Sequence, residues 1–319
     1  MLLNILFIII GVTLVLWGAD RLTDGASSIA RRMNVPEIVI GLTIVAAGTS
    51  APELFVSLVS ALKGTPDMAV GNVVGSNIFN CLLIVGCSAM VAPMTIARST
   101  VTKDIPFAVA ASLLLIIICM DGWQTISLSG KVISRLDGVW MLLAFAAFMI
   151  YTFRVAKDSP VAEVDAAKMA TPVWLGLLWV LIGLLCLVVG SNLFVGSASA
   201  VAASLGVSEG VIGLTIVAGG TSLPELATSV VAARKGQSAI AIGNVIGSSV
   251  FNILLILGLT AVISPMQIGG ITLVDVGLML VSVVLVWFFS ATKLTVARWE
   301  GALLTLIFFA YLGWLLYNL

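Results

Sequence analysis

Two glutamates lie inside strongly apolar stretches of the chain, each at the end of the same six-residue pattern. Residues 48–53 read Gly-Thr-Ser-Ala-Pro-Glu, and residues 220–225 read Gly-Thr-Ser-Leu-Pro-Glu. Placing one such carboxylate, Glu53 or Glu225, inside a bilayer costs about 2.5–3.5 kcal/mol on insertion scales. Two of them at matching positions indicate a cation site. The alternative is a pair of protonated glutamates hydrogen-bonded to neighbouring helices.

Oxygen atoms are concentrated beside each glutamate. Pro52 and Pro224 come directly before them, and a proline within a helix removes one backbone hydrogen bond and displaces the carbonyl four residues earlier. Such a carbonyl needs a new partner at membrane depth, and a bound cation would supply one. The same turns carry four hydroxyl groups, on Thr49, Ser50, Thr221 and Ser222. Oxygen ligands of this kind suit Ca²⁺, Na⁺ or Mg²⁺ and disfavour copper and zinc.

A second repeated block follows each glutamate, at residues 71–80 and 243–252. Its Gly-x-x-x-Gly spacing permits close helix packing, which is our interpretation of the glycines. The polar residues recur every fourth position and therefore share one helical face. They are Asn72, Ser76 and Asn80 in the first copy and Asn244, Ser248 and Asn252 in the second. We predict that the last asparagine of each set is a cation ligand, whereas the first is either a ligand or an interhelical hydrogen-bonding residue.

The whole chain is too apolar for a soluble protein. Of its 319 residues, 61% are hydrophobic and 9% are charged, whereas soluble domains carry about 25% charged residues. The alternating pattern of a transmembrane barrel is absent. The net charge is zero and no basic cluster occurs, so nothing indicates nucleic-acid binding. There is no histidine, and the four cysteines fall within apolar runs without metal-ligand spacing, as packing residues do.

These patterns predict an all-α integral membrane protein with ten transmembrane helices in two inverted five-helix repeats. Residues 40–80 align without a gap with residues 212–252, and 26 of the 41 positions are identical, so one ancestral unit was doubled. Because five is an odd number, the second copy crosses the membrane in the opposite direction. The predicted helices are 2–29, 36–62, 67–92, 104–120, 138–155, 172–200, 208–233, 238–263, 272–290 and 298–317. The predicted units are 1–155 and 172–319, with a linker at 156–171 and core repeats at 36–92 and 208–263.

Basic residues in the short loops predict the orientation. The loops after helices 1, 3, 5, 7 and 9 carry eleven Lys and Arg residues, whereas the other loops carry three, Lys63, Lys131 and Arg135. Basic loops stay in the cytoplasm. We therefore predict a protein of the cytoplasmic (plasma or inner) membrane, with a cytoplasmic linker and both termini outside.

The paired blocks resemble the two α-repeats of the cation/calcium antiporter superfamily, on its sodium/calcium exchanger branch. The resemblance covers nearly the whole chain and implies that Glu53 and Glu225 bind the transported Ca²⁺ and Na⁺, with no prosthetic group. The further oxygen ligands that it implies come from Thr49, Ser50, Thr221, Ser222, the carbonyls of Ala46 and Ala218, Ser76, Ser248, Asn80 and Asn252. Some relatives carry aspartate in place of Asn80 or Asn252, so the ion stoichiometry and K⁺ co-transport stay open. The resemblance also implies that two of the predicted helices, the first (2–29) and the sixth (172–200), slide against the rest of the protein.

The leading functional prediction is an antiporter in which Na⁺ and Ca²⁺ compete for one site by alternating access. Two ionised carboxylates balance one Ca²⁺ or two Na⁺, and a third Na⁺ would make exchange electrogenic. Exchange coupled to H⁺ is an alternative, because a buried glutamate can take up a proton near neutral pH. A cation channel and a membrane-embedded hydrolase are alternatives from other classes, but no nucleophile with a base and no aspartyl dyad motif indicates an enzyme. The expected partners are these ions and the lipid bilayer, and the oligomeric state is left open.

Overall fold

The computed structural model describes residues 1–120, 132–158, 172–206, 216, 218–268 and 271–317, and most of these residues are helical. The helices are α1 (Leu2–Arg32), α2 (Glu37–Thr49), α3 (Ala51–Leu62), α4 (Met68–Val91), α5 (Thr100–Cys119), α6 (Arg135–Asp158), α7 (Val173–Ser204), α8 (Ala218–Thr221), α9 (Leu223–Arg234), α10 (Ser238–Ile263), α11 (Leu273–Lys293) and α12 (Arg298–Tyr317). Most predicted helices agree with these bounds within four residues at each end.

The described helices account for most of the predicted membrane crossings. Eight of them are long and apolar enough to span a bilayer, and the pair α2 and α3, bent by 45°, provides a ninth span if counted as one. The predicted helix at 208–233 lies partly outside the described residues. Large apolar side chains such as Ile117, Phe288 and Trp299 are exposed on the outer helices, as expected where lipid is the solvent. The protein is therefore a helical membrane protein.

Helices α1 and α7 form a close antiparallel pair. Glycine makes the approach possible at three levels, where Gly11, Gly18 and Gly25 lie opposite Gly190, Gly183 and Gly176. A Cβ atom built on Gly18 would lie 2.8 Å from the carbonyl oxygen of Gly183, and one built on Gly183 would lie 2.7 Å from that of Gly18. The two helices therefore contact each other backbone to backbone, which side chains at these positions would prevent.

Helices α4 and α10, which carry the asparagine blocks, lie at the centre of the bundle. Within their most apolar windows, 72% and 78% of the residues are buried, the largest shares among the described spans. The glycines of α10 pack closely on α2, since a Cβ atom on Gly247 would lie 2.8 Å from the carbonyl oxygen of Leu42. This contact agrees with the packing role predicted for the second Gly-x-x-x-Gly pair. The same prediction is wrong for the first pair: a Cβ atom on Gly71 would come no closer than 4.0 Å to Ile271, and one on Gly75 would meet no described atom within 4 Å.

Two short ribbons of strands connect loops of the first half to loops of the second. Strand β1 (Met94–Thr95) pairs antiparallel with β4 (Thr295–Val296), and β2 (Val132–Ile133) pairs antiparallel with β3 (Met266–Gln267). The sequence predicted helices alone, because two-residue strands leave no periodic pattern. The ribbons tie the ends of neighbouring helices together without changing the all-helical core.

Candidate cation-binding site

A one-residue break in the helical backbone precedes each glutamate. Ser50 separates α2 from α3 with φ −82° and ψ 5°, and Ser222 separates α8 from α9 with φ −91° and ψ 8°. Pro52 and Pro224 therefore lie in the first turn of a new helix, where a missing N–H leaves no helical hydrogen bond unmade. The predictions of a single helix over 36–62 and over 208–233 are both wrong, because each proline begins a second helix instead of interrupting the first.

The serines at these breaks donate hydrogen bonds from one half of the chain to the other. Ser50 Oγ donates to Glu225 Oε1, and Ser222 Oγ donates to Glu53 Oε1, both at 3.0 Å. All four side chains are at most 2% exposed. The structure thus brings the two carboxylates into one buried region, where the serine of each half holds the glutamate of the other.

The first asparagine of each block supports the helix that carries the glutamate. Asn72 Nδ2 donates to the backbone carbonyl of Glu53 at 3.3 Å and to Ser57 Oγ at 3.1 Å. Asn244 makes the equivalent pair of bonds in the second half, at 3.4 and 3.0 Å, and its Oδ1 accepts from Thr49 Oγ1 at 3.0 Å. The amide groups of these two asparagines therefore form hydrogen bonds between helices. Interhelical hydrogen bonding was one of the two roles predicted for them, the other being cation binding.

The last asparagine of each block lies in a π-helical turn. These turns are Phe79–Ile84 in α4 and Phe251–Leu257 in α10, and π-helical turns are frequent at functional sites. Asn80 and Asn252 are each 1% exposed. Asn252 Nδ2 donates to Asn77 Oδ1 at 3.2 Å. The wider turn therefore places a buried amide at the same position of both central helices.

Of the remaining predicted ligands, Ser76 lies beside the second break and Ala46 beside the first. Ser222 Oγ is 3.3 Å from Ser76 Oγ, and Ser248 is fully buried. The Ala46 carbonyl accepts a hydrogen bond from the Ser50 backbone N–H at 3.0 Å and a longer one from Thr49 Oγ1 at 3.4 Å. Ala218 and Thr221 are the first and last residues of the short helix α8.

Several buried polar atoms here have no hydrogen-bond partner among the residues that the structure describes. They are Glu53 Oε2, Glu225 Oε2, Ser248 Oγ, Asn252 Oδ1 and both amide atoms of Asn80. Each unpaired buried polar group costs about 1–3 kcal/mol, so folded proteins pair nearly all of them. The same described residues hold no cluster of three or more His, Cys, Asp or Glu. Two carboxylates with neutral oxygens around them are a donor set that suits Ca²⁺ and Na⁺.

A cavity of about 270 Å³ lies beside this region. Asn72 and Ser76 line it together with Gly219, and its far wall is formed by Asp275 and Tyr311. Tyr311 Oη donates to Asp275 Oδ1 at 2.6 Å. The cavity is large enough for several water molecules, and it reaches the polar face of α4.

Comparison with known proteins decides the family. The sodium/calcium exchanger protein family matches residues 3–154 and 175–317, which is nearly the whole chain. The chain belongs to the sodium/calcium exchanger protein family. The resemblance predicted from the two repeated blocks is therefore confirmed.

The similarity to named relatives and to a solved structure covers nearly the full length of this chain. It is 37% identical over 321 residues to the putative antiporter CaxA of Alkalimonas amylolytica, covering 98% of both chains. It is 34% identical over 330 residues to the inner membrane protein YrbG of Escherichia coli, covering 99% of this chain and 98% of that one. A solved structure of the sodium-calcium exchanger NCX_Mj superposes with a TM-score of 0.84 at 29% identity, covering 98% of both chains.

The sequence predictions missed three polar residues of this region. Ser57 and Ser229 accept hydrogen bonds from the first asparagine of each block, and Asn77 holds Asn252. Ser57 and Ser229 are identical in the aligned repeats, and that identity was the available signal. Asn77 could not have been found in this way, because the aligned residue of the second repeat is Ser249.

Proposed function

We propose that this exchanger-family protein is a secondary active antiporter that exchanges Ca²⁺ for Na⁺ by alternating access. The carrying observation is the crossed pair of hydrogen bonds from Ser50 to Glu225 and from Ser222 to Glu53. A site built from both halves is exposed to one side of the membrane and then to the other when α1 and α7, the two helices that the resemblance implies slide, move against the rest. Alternating access needs this coupling between the site and the movement of these helices.

In this proposal the two glutamates are shared by Ca²⁺ and Na⁺, and neutral oxygens complete the coordination. The strongest candidate ligands are the Oε2 atoms of the two glutamates and the side-chain oxygens of Asn80 and Asn252, which have no hydrogen-bond partner within the described structure. The remaining proposed ligands are Thr49, Ser50, Thr221, Ser222, Ser76, Ser248 and the carbonyls of Ala46 and Ala218. Binding one Ca²⁺ or two Na⁺ neutralises the two carboxylates, so both loaded states can cross without a large charge penalty.

The proposed architecture is ten spans in two inverted five-helix repeats, with the site near the membrane midplane. The 172-residue offset between Glu53 and Glu225 supports it, as does the close match to NCX_Mj. The basic loops put the central linker in the cytoplasm and both termini outside, in the cytoplasmic or inner membrane. Transport by this cycle involves no enzymatic step and no prosthetic group.

The direct test is ⁴⁵Ca²⁺ uptake into proteoliposomes under separately imposed Na⁺, K⁺, pH and voltage gradients. We expect Ca²⁺ to accumulate against its own gradient when Na⁺ is higher inside. Glu53→Gln keeps the shape and the acceptor for Ser222 but removes the charge, so it should abolish uptake. Glu300→Gln is the matched control, since Glu300 is also buried, at 6% exposure, yet caps α12 away from the site.

Each arm has an outcome that contradicts part of the proposal. Uptake driven by a pH gradient without Na⁺ would replace Na⁺ by H⁺ as the coupling ion, and a strict K⁺ requirement would add K⁺ to the cycle. Flux that never exceeds the Ca²⁺ gradient would indicate a channel. Full uptake by Glu53→Gln would remove this residue from the site.

A further inference from the structure

A second polar cavity lies away from the glutamates, between the beginnings of α2 and α5 and the end of α6. Its volume is about 360 Å³, and its polar lining residues are Glu37, Ser99, Thr100, Asp104 and Thr152. Ser99 and Glu37 are partly open to solvent. Both lie at helix beginnings on the basic side, which is the side proposed above to be cytoplasmic. None of the ligands proposed for the exchange site is among the lining residues.

Asp104 in this cavity differs from three acidic residues that cap helices. Asp137, Asp275 and Glu300 each accept a backbone N–H at the start of their helix, at 2.7–2.9 Å. Those three carboxylates cap helices and need no ligand. Asp104 is just as buried, at 6% exposure, but it caps no helix in the part of the chain described here. A structural role as a helix cap therefore does not explain it.

The Thr100 hydroxyl lies beside the Asp104 carboxylate. Thr100 is fully buried, and its Oγ1 is close to the Asp104 carboxylate but reaches hydrogen-bond geometry with no described residue. Thr152 Oγ1 donates to the Phe148 carbonyl at 2.9 Å, and the same oxygen can still accept or bind a cation. Thr100, Asp104 and Thr152 all line this cavity, and an unpaired buried group such as the Thr100 hydroxyl is costly.

The charges around the cavity leave one negative charge unbalanced. Glu37 is already engaged, because Ser27 donates to its Oε1 at 2.7 Å and Arg31 Nη2 lies 3.7 Å from the same atom. Lys103 attracts Asp104, but its side chain is exposed and forms no ion pair with it within the described structure. A single carboxylate with hydroxyl and water oxygens fits a monovalent cation. Ca²⁺ sites collect six to eight oxygens and usually several carboxylates.

We propose that this cavity is a second cation site, in which Asp104, Thr100 and Thr152 bind a hydrated alkali cation from the basic side of the membrane. The cation would connect α5 to α6 and neutralise the buried carboxylate. This site is separate from the exchange site and does not depend on the coupling ion proposed there. It predicts that an alkali cation stabilises the folded protein even when the two central glutamates are neutralised.

The test uses the full chain in detergent, carrying Glu53→Gln and Glu225→Gln so that the exchange site is silenced. Thermal unfolding is followed in Na⁺, K⁺, choline and Ca²⁺ at constant ionic strength. We expect a saturable rise in Tm with Na⁺ or K⁺ relative to choline. Asp104→Asn should abolish this rise and Thr100→Val should weaken it, whereas Thr100→Ser should retain it. Glu300→Gln, equally buried, should lower Tm in every salt and keep the cation-dependent rise.

A second measurement locates the ion without relying on stability. Crystals soaked in Tl⁺, a heavy stand-in for K⁺, should give an anomalous peak beside Asp104 that disappears in Asp104→Asn. The proposal is overturned if no peak appears there, if the rise in Tm survives Asp104→Asn, or if Ca²⁺ stabilises more than Na⁺ and K⁺. A rise that follows pH alone would show that Asp104 binds only a proton. Transport is not measured in either experiment, so neither result bears on the proposed exchange.

Discussion

The two halves of the chain carry the same glutamate, serine and asparagine, yet they hold the last asparagine differently. Asn252 is fixed through its Nδ2 by Asn77 of the other half. The residue that would hold Asn80 in the same way is Ser249, whose hydroxyl donates to the Val245 carbonyl at 2.9 Å instead. Both amide atoms of Asn80 are therefore free of described partners. Duplication supplied two equal carboxylates, and one unmatched position makes the site around them unequal.

A second difference between the halves lies at the ends of the helices that follow the glutamates. Lys235 Nζ contacts Asp20 Oδ1 and Asp24 Oδ1 of α1, both at 2.7 Å. Its repeat equivalent, Lys63, is exposed. The positions that match the two aspartates in α7 are Asn192 and Gly196, which carry no charge. Within the described residues, these ion pairs connect α1 to the end of α9 on the basic side, and no equivalent pair connects α7 to the end of α3.

The largest expected effect on apparent Ca²⁺ affinity comes from the serine–glutamate hydrogen bonds that both halves contribute. Removing either crossing hydrogen bond, by Ser50→Ala or Ser222→Ala, takes away a donor to a charged group, worth about 1.5–3 kcal/mol. At tenfold per 1.4 kcal/mol, each variant should raise the Ca²⁺ concentration for half-maximal uptake by about 10- to 100-fold. The concentration dependence of ⁴⁵Ca²⁺ uptake measures this.

The control for these variants is Ser112→Ala, which removes a buried serine whose Oγ donates to the Ala108 carbonyl within α5 at 3.0 Å. We expect it to leave the concentration dependence unchanged. A large effect at Ser50 with none at Ser222, or the reverse, would contradict the view that the halves contribute equally to the carboxylate pair.

A smaller effect on apparent Ca²⁺ affinity is expected at Asn77, where the second half has a serine. Asn77→Ser gives the first half the residue of the second and releases the Asn252 amide, removing a bond worth about 1 kcal/mol. Apparent Ca²⁺ affinity should fall by about fivefold. In a double-mutant cycle, Asn77→Ser should add little to Asn252→Ala, because Asn77 acts only by holding the Asn252 amide. Full additivity would mean that Asn77 acts elsewhere.

The helices and the paired glutamates could be predicted because hydropathy and exact repetition are properties of the sequence itself. The location of Pro52 within the first turn of α3 could not, since a proline is compatible with both a kink and a new helix. The π-helical turns at Asn80 and Asn252 also left no signal, because they depend on packing between central helices. The unequal support of these asparagines requires knowing that Asn77 faces the second half.

The smallest effect is expected at the ion pairs of α1. Lys235 is partly exposed, and such pairs contribute about 0.2–1 kcal/mol. Lys235→Met should therefore shift the balance between conformations by up to about fivefold, seen as altered labelling of a cysteine introduced at the basic end of α1. The shift should shrink in high salt. Lys63→Met, its repeat equivalent, should change nothing, and equal effects of the two would deny the asymmetry.

The central claim is that one cation is bound by both halves together. Crystals of the protein soaked in Sr²⁺, a heavier stand-in for Ca²⁺, test it directly through anomalous diffraction. We predict one strong peak within coordination distance of both Glu53 and Glu225, lost on soaking in high Na⁺. A peak that contacts the glutamate of one half alone, or that lies away from both, would contradict the account.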